Sequence, residues 1–333
     1  KAAIKANPEA ANNHYNLGIA LKKKGDLGAA IVSYKRAIKI KPDFDDAYYN
    51  MGIALKDNGD LDAAVESYKK AIEIKQDYLG AFYNMGIAQQ EQGDLDAAIV
   101  SYKRAIKIKP DYAEVYYNMG ISLQGKDALE AAIDSYKKAI KIKPDYAEAY
   151  YNMGDAQREK GDLDAAIDSY KQAIKIKPDY AGAYNNMGSV LQDKGDLEAA
   201  IESYKQAIKI KPDYAAEAYY NMGDALKEQG DLEAAIDSYK QAIKIKPDYA
   251  EAYNNMGSVL QDKGDLEAAI ESYKHVIKIK PDYAEAYSNM GNALQKKGNL
   301  EAAVESYKHA IKIKPDYAEA YYNMGIALAE KGD

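Results

Sequence analysis

Apolar and small residues return every three or four places along the chain, and two such runs fit into each stretch of 34 residues. In AEAYYNMGDAQREKGDLDAAIDSYKQAIKIKPDY, from Ala147 to Tyr180, the first run sets Tyr150, Met153, Gly154 and Gln157 at i, i+3, i+4 and i+7, one face of a helix. The second run carries Ala166, Tyr170 and Ala173. Start and stop signals agree with this period. Asp145 is expected to cap the first helix, with Glu148 completing a capping-box spacing. Gly161 suits the left-handed place that ends it, and Asp162 the cap of the second helix. Lys175 and Lys177 set positive charge against the dipole at the end of the second helix, and Pro178 prevents its continuation.

The pair of helices is rewritten along the whole chain. Asn-Met, once Asn-Leu, followed by Gly recurs with its Asn at Asn16, Asn50, Asn84, Asn118, Asn152, Asn186, Asn221, Asn255, Asn289 and Asn323. The spacing is 34 residues throughout, except for 35 between Asn186 and Asn221. That period is the mark of a helix-turn-helix solenoid. The unit resembles the tetratricopeptide repeat family, through Tyr150 where the family favours Trp, then Met153, Gly154, Gly161, Ala166, Tyr170, Ala173 and Pro178. The resemblance covers essentially the whole chain. It implies an all-α, right-handed superhelical α-solenoid, whose units rest mainly on their neighbours.

In this register residues 1–10 are the end of a preceding repeat's second helix, Ala3, Ile4 and Pro8 matching Ala37, Ile38 and Pro42. Residues 11–317 are nine complete repeats with a one-residue insertion near 215, and 318–333 are the first helix of a tenth. Neither end carries a polar cap, so the expectation is a fragment of a longer chain, with head-to-tail stacking of molecules as the alternative. Three copies depart from the pattern. Gly125 stands two places early and Asp127 where Gly is expected, which predicts an altered turn. An extra Ala, Ala215 or Ala216, lengthens one turn between units and shifts Glu217 out of register, and Gln76 replaces the closing Pro. Residues 183–205 and 252–274 are identical, so recurrence here reflects duplication and is not evidence of selection.

Composition narrows the function. A net charge of −7 argues against a nucleic-acid binder, which presents a basic face. The absence of cysteine removes disulfides and thiolate metal sites, and no apolar run approaches the ~18 residues of a membrane span. No signal peptide is visible, and a cytoplasmic location is the expectation. All 32 tyrosines occupy four places of the unit, and the nine methionines follow the recurrent Asn, as packing residues do.

By resemblance to the family, a second face of each first helix, holding Glu148, Tyr151, Asn152, Asp155 and Glu159 in the copy above, lines a concave groove where partners bind. The ten asparagines would then form a ladder of donors and acceptors able to pair with the main chain of an extended segment. This is similar to the asparagine ladder in the tetratricopeptide region of O-linked N-acetylglucosamine transferases. The other reading is structural, an Asn that positions a neighbouring backbone. Tyr15, Tyr49, Tyr83 and Tyr117, with Ile19, Ile53, Ile87 and Ile121, make the N-terminal part aromatic and aliphatic. Further on the two places read Tyr151/Asp155, Asn185/Ser189, Tyr220/Asp224, Asn254/Ser258, Ser288/Asn292 and Tyr322/Ile326, a polar part alternating every two units. Asp46 and Glu114, Glu148, Glu217, Glu251, Glu285 and Glu319 make the face acidic, with Lys22, Lys56, Arg158 and Lys227 scattered on it. A solvated acidic face and a preference for neutral or basic segments both fit. The Lys-plus-Asn carboxylate clamp of co-chaperone members is missing, since its Lys place holds Tyr, Asn or Ser.

Catalytic chemistry is not in evidence. GISLQGKD, from Gly120 to Asp127, ends in Asp where a phosphate loop has Ser or Thr, and lies within a helix pair. His275 and His309 are equivalent places on stacked helices ~8–10 Å apart, too far to share an ion. The expectation is therefore a protein-interaction scaffold, not an enzyme, with no cofactor or metal. It binds a neutral or basic extended protein segment, and no nucleic acid or membrane. An architectural, self-associating solenoid and the substrate-recruiting region of a larger glycosyltransferase-like enzyme are the alternatives.

Overall fold

The computed structural model describes residues 10–332, in which every regular element is helical. The expected second-helix remnant before Ala10 lies outside the described residues. The chain gathers into two compact units, Lys1–Ile176 and Lys177–Asp333. The first holds α1 (Ala11–Lys23), α2 (Leu27–Ile40), α3 (Asp45–Asp57), α4 (Leu61–Ile74), α5 (Leu79–Glu91), α6 (Leu95–Ile108), α7 (Ala113–Gln124), α8 (Leu129–Ile142), α9 (Ala147–Glu159) and α10 (Leu163–Ile176). The second holds α11 (Ala181–Asp193), α12 (Leu197–Ile210), α13 (Ala216–Gln229), α14 (Leu232–Ile245), α15 (Ala250–Asp262), α16 (Leu266–Ile279), α17 (Ala284–Lys296), α18 (Leu300–Ile313) and α19 (Ala318–Lys331). Within each unit every helix packs on the next, and each odd-numbered helix also touches the following odd-numbered one. The first helices of the repeats therefore make one continuous layer in each unit, with the second helices packed against it. No helix among the described residues is long and apolar enough to cross a membrane.

The core of a repeat is a ring seated on a glycine. Tyr170 of α10 is fully buried, and a Cβ on Gly154 of α9 would come within 2.7 Å of its ring. Ala149, Ala156, Ala166 and Ala173, all at 0% exposure, let the two backbones close around it. The same seat joins Gly18 to Tyr34, Gly52 to Tyr68 and Gly223 to Tyr239. Residues Met153 and Gln157 are buried on the expected face, while Tyr150 is half-buried.

Helix ends follow the sequence in part. Gly161 has φ +86°, and the Asp162 carboxylate accepts from the Ala165 amide at 3.4 Å, as Asp26, Asp60, Asp94, Asp196, Asp231 and Asp265 do in their own repeats. The capping box does not form. The residue before α9 is Tyr146, without a side-chain cap, and Asp145 stands one place too early to reach the first turn. An aromatic staple takes over at that end: the Tyr146 ring lies 4.9 Å from Tyr117, with the Lys143 ammonium 4.5 Å over its face. Equivalent pairs are Lys41 over Phe44, Lys75 over Tyr78, Lys109 over Tyr112 and Lys246 over Tyr249. Proline is not what stops the second helix. Before Gln76 the chain leaves α4 at Lys75 with φ −125° and ψ 94°, close to the −134° and 94° of Lys109 before Pro110.

The irregular copies keep the architecture. Asp127 itself takes the left-handed conformation, φ +58°, and the Ala128 amide still reaches the Leu123 carbonyl at 3.0 Å, so the turn survives. What is lost is the cap, because Ala128 precedes α8 with no side-chain acceptor. The insertion is absorbed by a short 3-10 turn, Pro212–Tyr214, and by a buried Ala215 before α13. At the fourth repeat two substitutions should therefore stabilise. Asp127→Gly removes a left-handed non-glycine and Ala128→Asp restores a cap, each by ~1 kcal/mol. Urea unfolding of the single and double variants checks this, and an unchanged midpoint for both would contradict the assignment.

Candidate binding face

The layer of first helices presents the residues singled out above, and each is fixed from below by packing. Tyr15, Tyr49, Tyr83, Tyr117, Tyr151 and Tyr220 are half-buried. Tyr49 lies 6.1 Å from the buried Tyr68 and 4.8 Å from Tyr78, and Tyr220 lies 6.0 Å from Tyr239 and 5.1 Å from Tyr249. These rings are wedges between successive repeats as well as surface. Burial raises the hydroxyl pKa of Tyr49 and Tyr117, and lifts that of Tyr83 to about 12.

Asn16 is exposed at the start of the first layer, and the other nine asparagines are half-buried. Their amides do not stand alone. The Nδ2 of Asn50 donates to the Tyr15 hydroxyl at 3.1 Å, Asn84 to Tyr49 at 2.9 Å, Asn118 to Tyr83 at 2.9 Å and Asn152 to Tyr117 at 3.1 Å. Asn50 and Asn84 also donate to the carbonyls of Asp46 and Gly80 in their own helices. In the second unit Asn255 donates to Tyr220 at 3.0 Å. Where Asn replaces that Tyr the rung persists, from Asn221 to the Asn185 Oδ1 at 3.3 Å and from Asn289 to the Asn254 Oδ1 at 3.2 Å. Asn323 donates instead to Asn292 at 3.0 Å. Asn186 is half-buried on α11. Eight of the ten asparagines are thus rungs between repeats. The sequence signal for their acceptor is a Tyr or Asn usually 35 residues earlier, a separation one residue longer than the repeat itself.

The two candidate carboxylates are tied to the core tyrosines. The Tyr170 hydroxyl donates to Asp155 at 2.7 Å, and Tyr239 donates to Asp224 at 2.6 Å. Asn255 adds a second bond to Asp224 at 2.9 Å. Burial raises the pKa of Asp224 despite these donors. Of the four cations on this face, two meet carboxylates, Lys22 with Asp57 at 3.2 Å and Lys56 with Glu91 at 3.8 Å, and Lys227 donates to the Ser258 hydroxyl at 3.2 Å. An open hollow of about 400 Å³ on the face of the second unit is lined by Gln261, Asn292, Gln295, Lys296, Asn323 and Glu330. His275 and His309, away from this face, stack on Tyr253 and Tyr287 at 5.1 and 5.4 Å.

The core tyrosines differ in one respect. Tyr102, Tyr136 and Tyr204 donate to Gln90, Gln124 and Gln192, each at 3.0 Å. In the first two repeats that place holds Lys22 and Lys56, which have no acceptor, and the Tyr34 and Tyr68 hydroxyls are buried without a partner.

A family model described as TPR repeat matches nine successive segments, 20–59, 54–93, 91–127, 126–158, 154–195, 188–230, 223–264, 258–298 and 291–332. Among solved structures, the chain is similar to MamA, 36% identical over 50% of this chain and 97% of that one, with a TM-score of 0.47. It is also similar to YrrB, described as a TPR protein with an unusual peptide-binding site, at 25% identity over 57% and 97% of the two chains and a TM-score of 0.49. MamA 41-end from Desulfovibrio magneticus RS-1 aligns at 21% identity over 51% and 96%, with a TM-score of 0.49. No curated protein matches.

Two outcomes follow for the tyrosines. Tyr68→Phe removes an unpaired hydroxyl and should leave stability unchanged or raised, whereas Tyr239→Phe takes a donor from the Asp224 carboxylate and should cost ~1–3 kcal/mol in urea unfolding. Alkaline pH should also destabilise the chain. Burial lifts Tyr34 and Tyr83 to about 12 from an ordinary 10.0, so the folded state keeps protons that the unfolded chain releases between those values. Their contribution is fully present below pH 10 and lost as pH rises through 12, and the melting temperature should be flat to about pH 9 and fall steeply above about pH 10. A melting temperature independent of pH to about 12 would contradict the burial of these hydroxyls.

Proposed function

Because the chain belongs to the tetratricopeptide repeat family and is a protein-interaction scaffold, we propose that the layer of first helices receives an extended protein segment along its asparagine rungs. The observation that carries this reading is the placement of a carboxamide, half-buried and oriented by a neighbour, at the same place on successive first helices. A primary amide has two N–H donors and a carbonyl with two lone pairs, so Asn118, which gives one donor to Tyr83, keeps a donor and its carbonyl for a main chain, and Asn84, which gives its donors to Tyr49 and Gly80, keeps its carbonyl for a main-chain N–H. Orientation by the neighbour lowers the entropy lost when a ligand pairs with it. Each bond is worth only ~1 kcal/mol net, so affinity comes from several rungs together.

The face divides by chemistry. Tyr49, Tyr83 and Tyr117 with Ile53, Ile87 and Ile121 accept apolar side chains, and the carboxamides and carboxylates around Tyr220, Asp224, Asn254 and Asn292 accept polar or basic ones. The segment is accordingly neutral or basic on the side that meets Asp224.

The test uses extended peptides selected on the chain from an array. Asn84→Leu with Asn118→Leu removes two rungs while keeping the branching at Cγ, and affinity should fall by a factor on the order of 30, two bonds at ~1 kcal/mol each. Tyr49→Phe with Tyr83→Phe keeps the rings and both amides but removes their orienting hydroxyls, and affinity should fall by less than in the Asn variants. Equal binding by the Asn variants would sink the reading.

A further inference from the structure

The fifteen residues from Ala29 to Asp43 recur without change from Ala97 to Asp111, and each copy builds a second helix, α2 and α6 of the first unit. In the middle of each stands an exposed valine, Val32 at 66% and Val100 at 59%. The equivalent place in the other seven second helices is a carboxylate: Glu66, Asp134, Asp168, Glu202, Asp237, Glu271 and Glu305. In five of those seven helices the carboxylate neutralises a lysine one turn on, Asp237 meeting Lys240 at 3.7 Å, and Glu202 accepts from Gln206 instead. Glu66 meets Lys69 at 2.8 Å, Asp134 meets Lys138 at 2.6 Å, Glu271 meets Lys274 at 2.6 Å and Glu305 meets Lys308 at 2.8 Å.

Valine removes the partner and leaves the cations. On α2, Lys35, Arg36 and Lys39 are exposed at i+3, i+4 and i+7 from Val32, and on α6 Lys103, Arg104 and Lys107 repeat the arrangement. None of the six has an acidic partner among the described residues. On α6 the stripe runs on to Ile108, 37% exposed. A lone exposed valine needs no explanation. An exposed valine that displaces the neutralising acid, next to an arginine fork, is a different object. It is also local, since residues 1–176 carry 26 Lys or Arg and 26 Asp or Glu, and the formal charge of −7 falls wholly in residues 177–333.

We propose that the outer faces of α2 and α6 are a second docking surface, for an acidic protein segment that also carries aliphatic side chains. The Arg36 and Arg104 guanidiniums take carboxylates of the segment in their planar forks, and Val32 and Val100 take its apolar side chains. The two patches sit two repeats apart, roughly 20 Å at ~10 Å per helix packing, a span that about six extended residues bridge. Between them lies α4, whose Glu66–Lys69 and Lys70–Glu73 pairs, at 2.8 and 2.7 Å, are neutral to a passing segment. A flat anionic bilayer fits less well. It would press Glu66, Glu73 and Asp134 of the same row toward headgroups of their own sign, and would gain two valines of apolar contact. The surface is distinct from the layer of first helices, and its partner has the opposite charge.

The experiment measures fluorescence anisotropy of a labelled peptide of about 14 residues, built from glutamate, leucine and serine, against the full chain. The informative variant is Val32→Glu with Val100→Glu, which installs the residue that Glu66 already is in α4 and keeps the fold, as circular dichroism verifies. The wild type should bind, with affinity falling as salt rises from about 50 to about 300 mM. The Val→Glu pair should weaken binding at least about tenfold, and Arg36→Gln with Arg104→Gln should do the same. The Asn84→Leu and Asn118→Leu variants should bind as the wild type does. Unchanged affinity in the Val→Glu pair overturns the proposal, as does binding of the wild type to phosphatidylserine-containing vesicles but not to the peptide.

Discussion

A tyrosine ring lying on a glycine fixes the distance between the two helices of every complete repeat. With Gly154 replaced by anything larger, a Cβ would stand 2.7 Å from the Tyr170 ring, well inside van der Waals contact, so the helices could not keep their separation. The ring in turn points its hydroxyl toward the first helix, where Gln90, Gln124, Asp155, Asp224 or Asn292 accepts it. From that single seat the orientation of the first helix follows, and with it which side chains stand on the open side of the layer.

The open side does two things with the same atoms. Tyr49 is at once a wedge on Tyr68 and Tyr78, the acceptor for Asn84, and a surface ring. An amide held by a neighbour's hydroxyl is well oriented, and part of its hydrogen-bonding capacity is already spent. Stability of the repeat junction and capacity for a ligand therefore compete at each rung. The change from Tyr15, Tyr49, Tyr83 and Tyr117 to the alternation of Tyr220 with Asn185 and Asn254 keeps the rung while changing its chemistry from aromatic to amide. A binding surface can vary along its length in this way without altering the spacing of the helices beneath it.

Charge is handled repeat by repeat. Each second helix carries cations toward its C-terminal end, and most neutralise one with a carboxylate one turn earlier, as Glu66 does with Lys69. On the first helices the equivalent bookkeeping runs between repeats, Lys22 to Asp57 and Lys56 to Glu91. Val32 and Val100 are the two places of that row where the carboxylate itself is missing and the cations stand beside an apolar side chain.

The alternation of first and second helices, the glycine turns and the aspartate caps of the second helices were legible in the chain, because each depends on residues within one or two turns of one another. Gly161 and Asp162 act on their own turn, and the 34-residue period carries them to the other repeats. The cap assigned to Asp145 failed because a cation and an aromatic cluster, Lys143 with Tyr146 and Tyr117, hold that end instead. The role of the asparagines was open for the same reason. Whether Asn84 faces a partner or the Tyr49 hydroxyl depends on how one repeat leans on the next, a distance of 35 residues along the chain and 2.9 Å in space. Local sequence determined the elements and their faces; packing between repeats decided which polar atoms on those faces are already engaged.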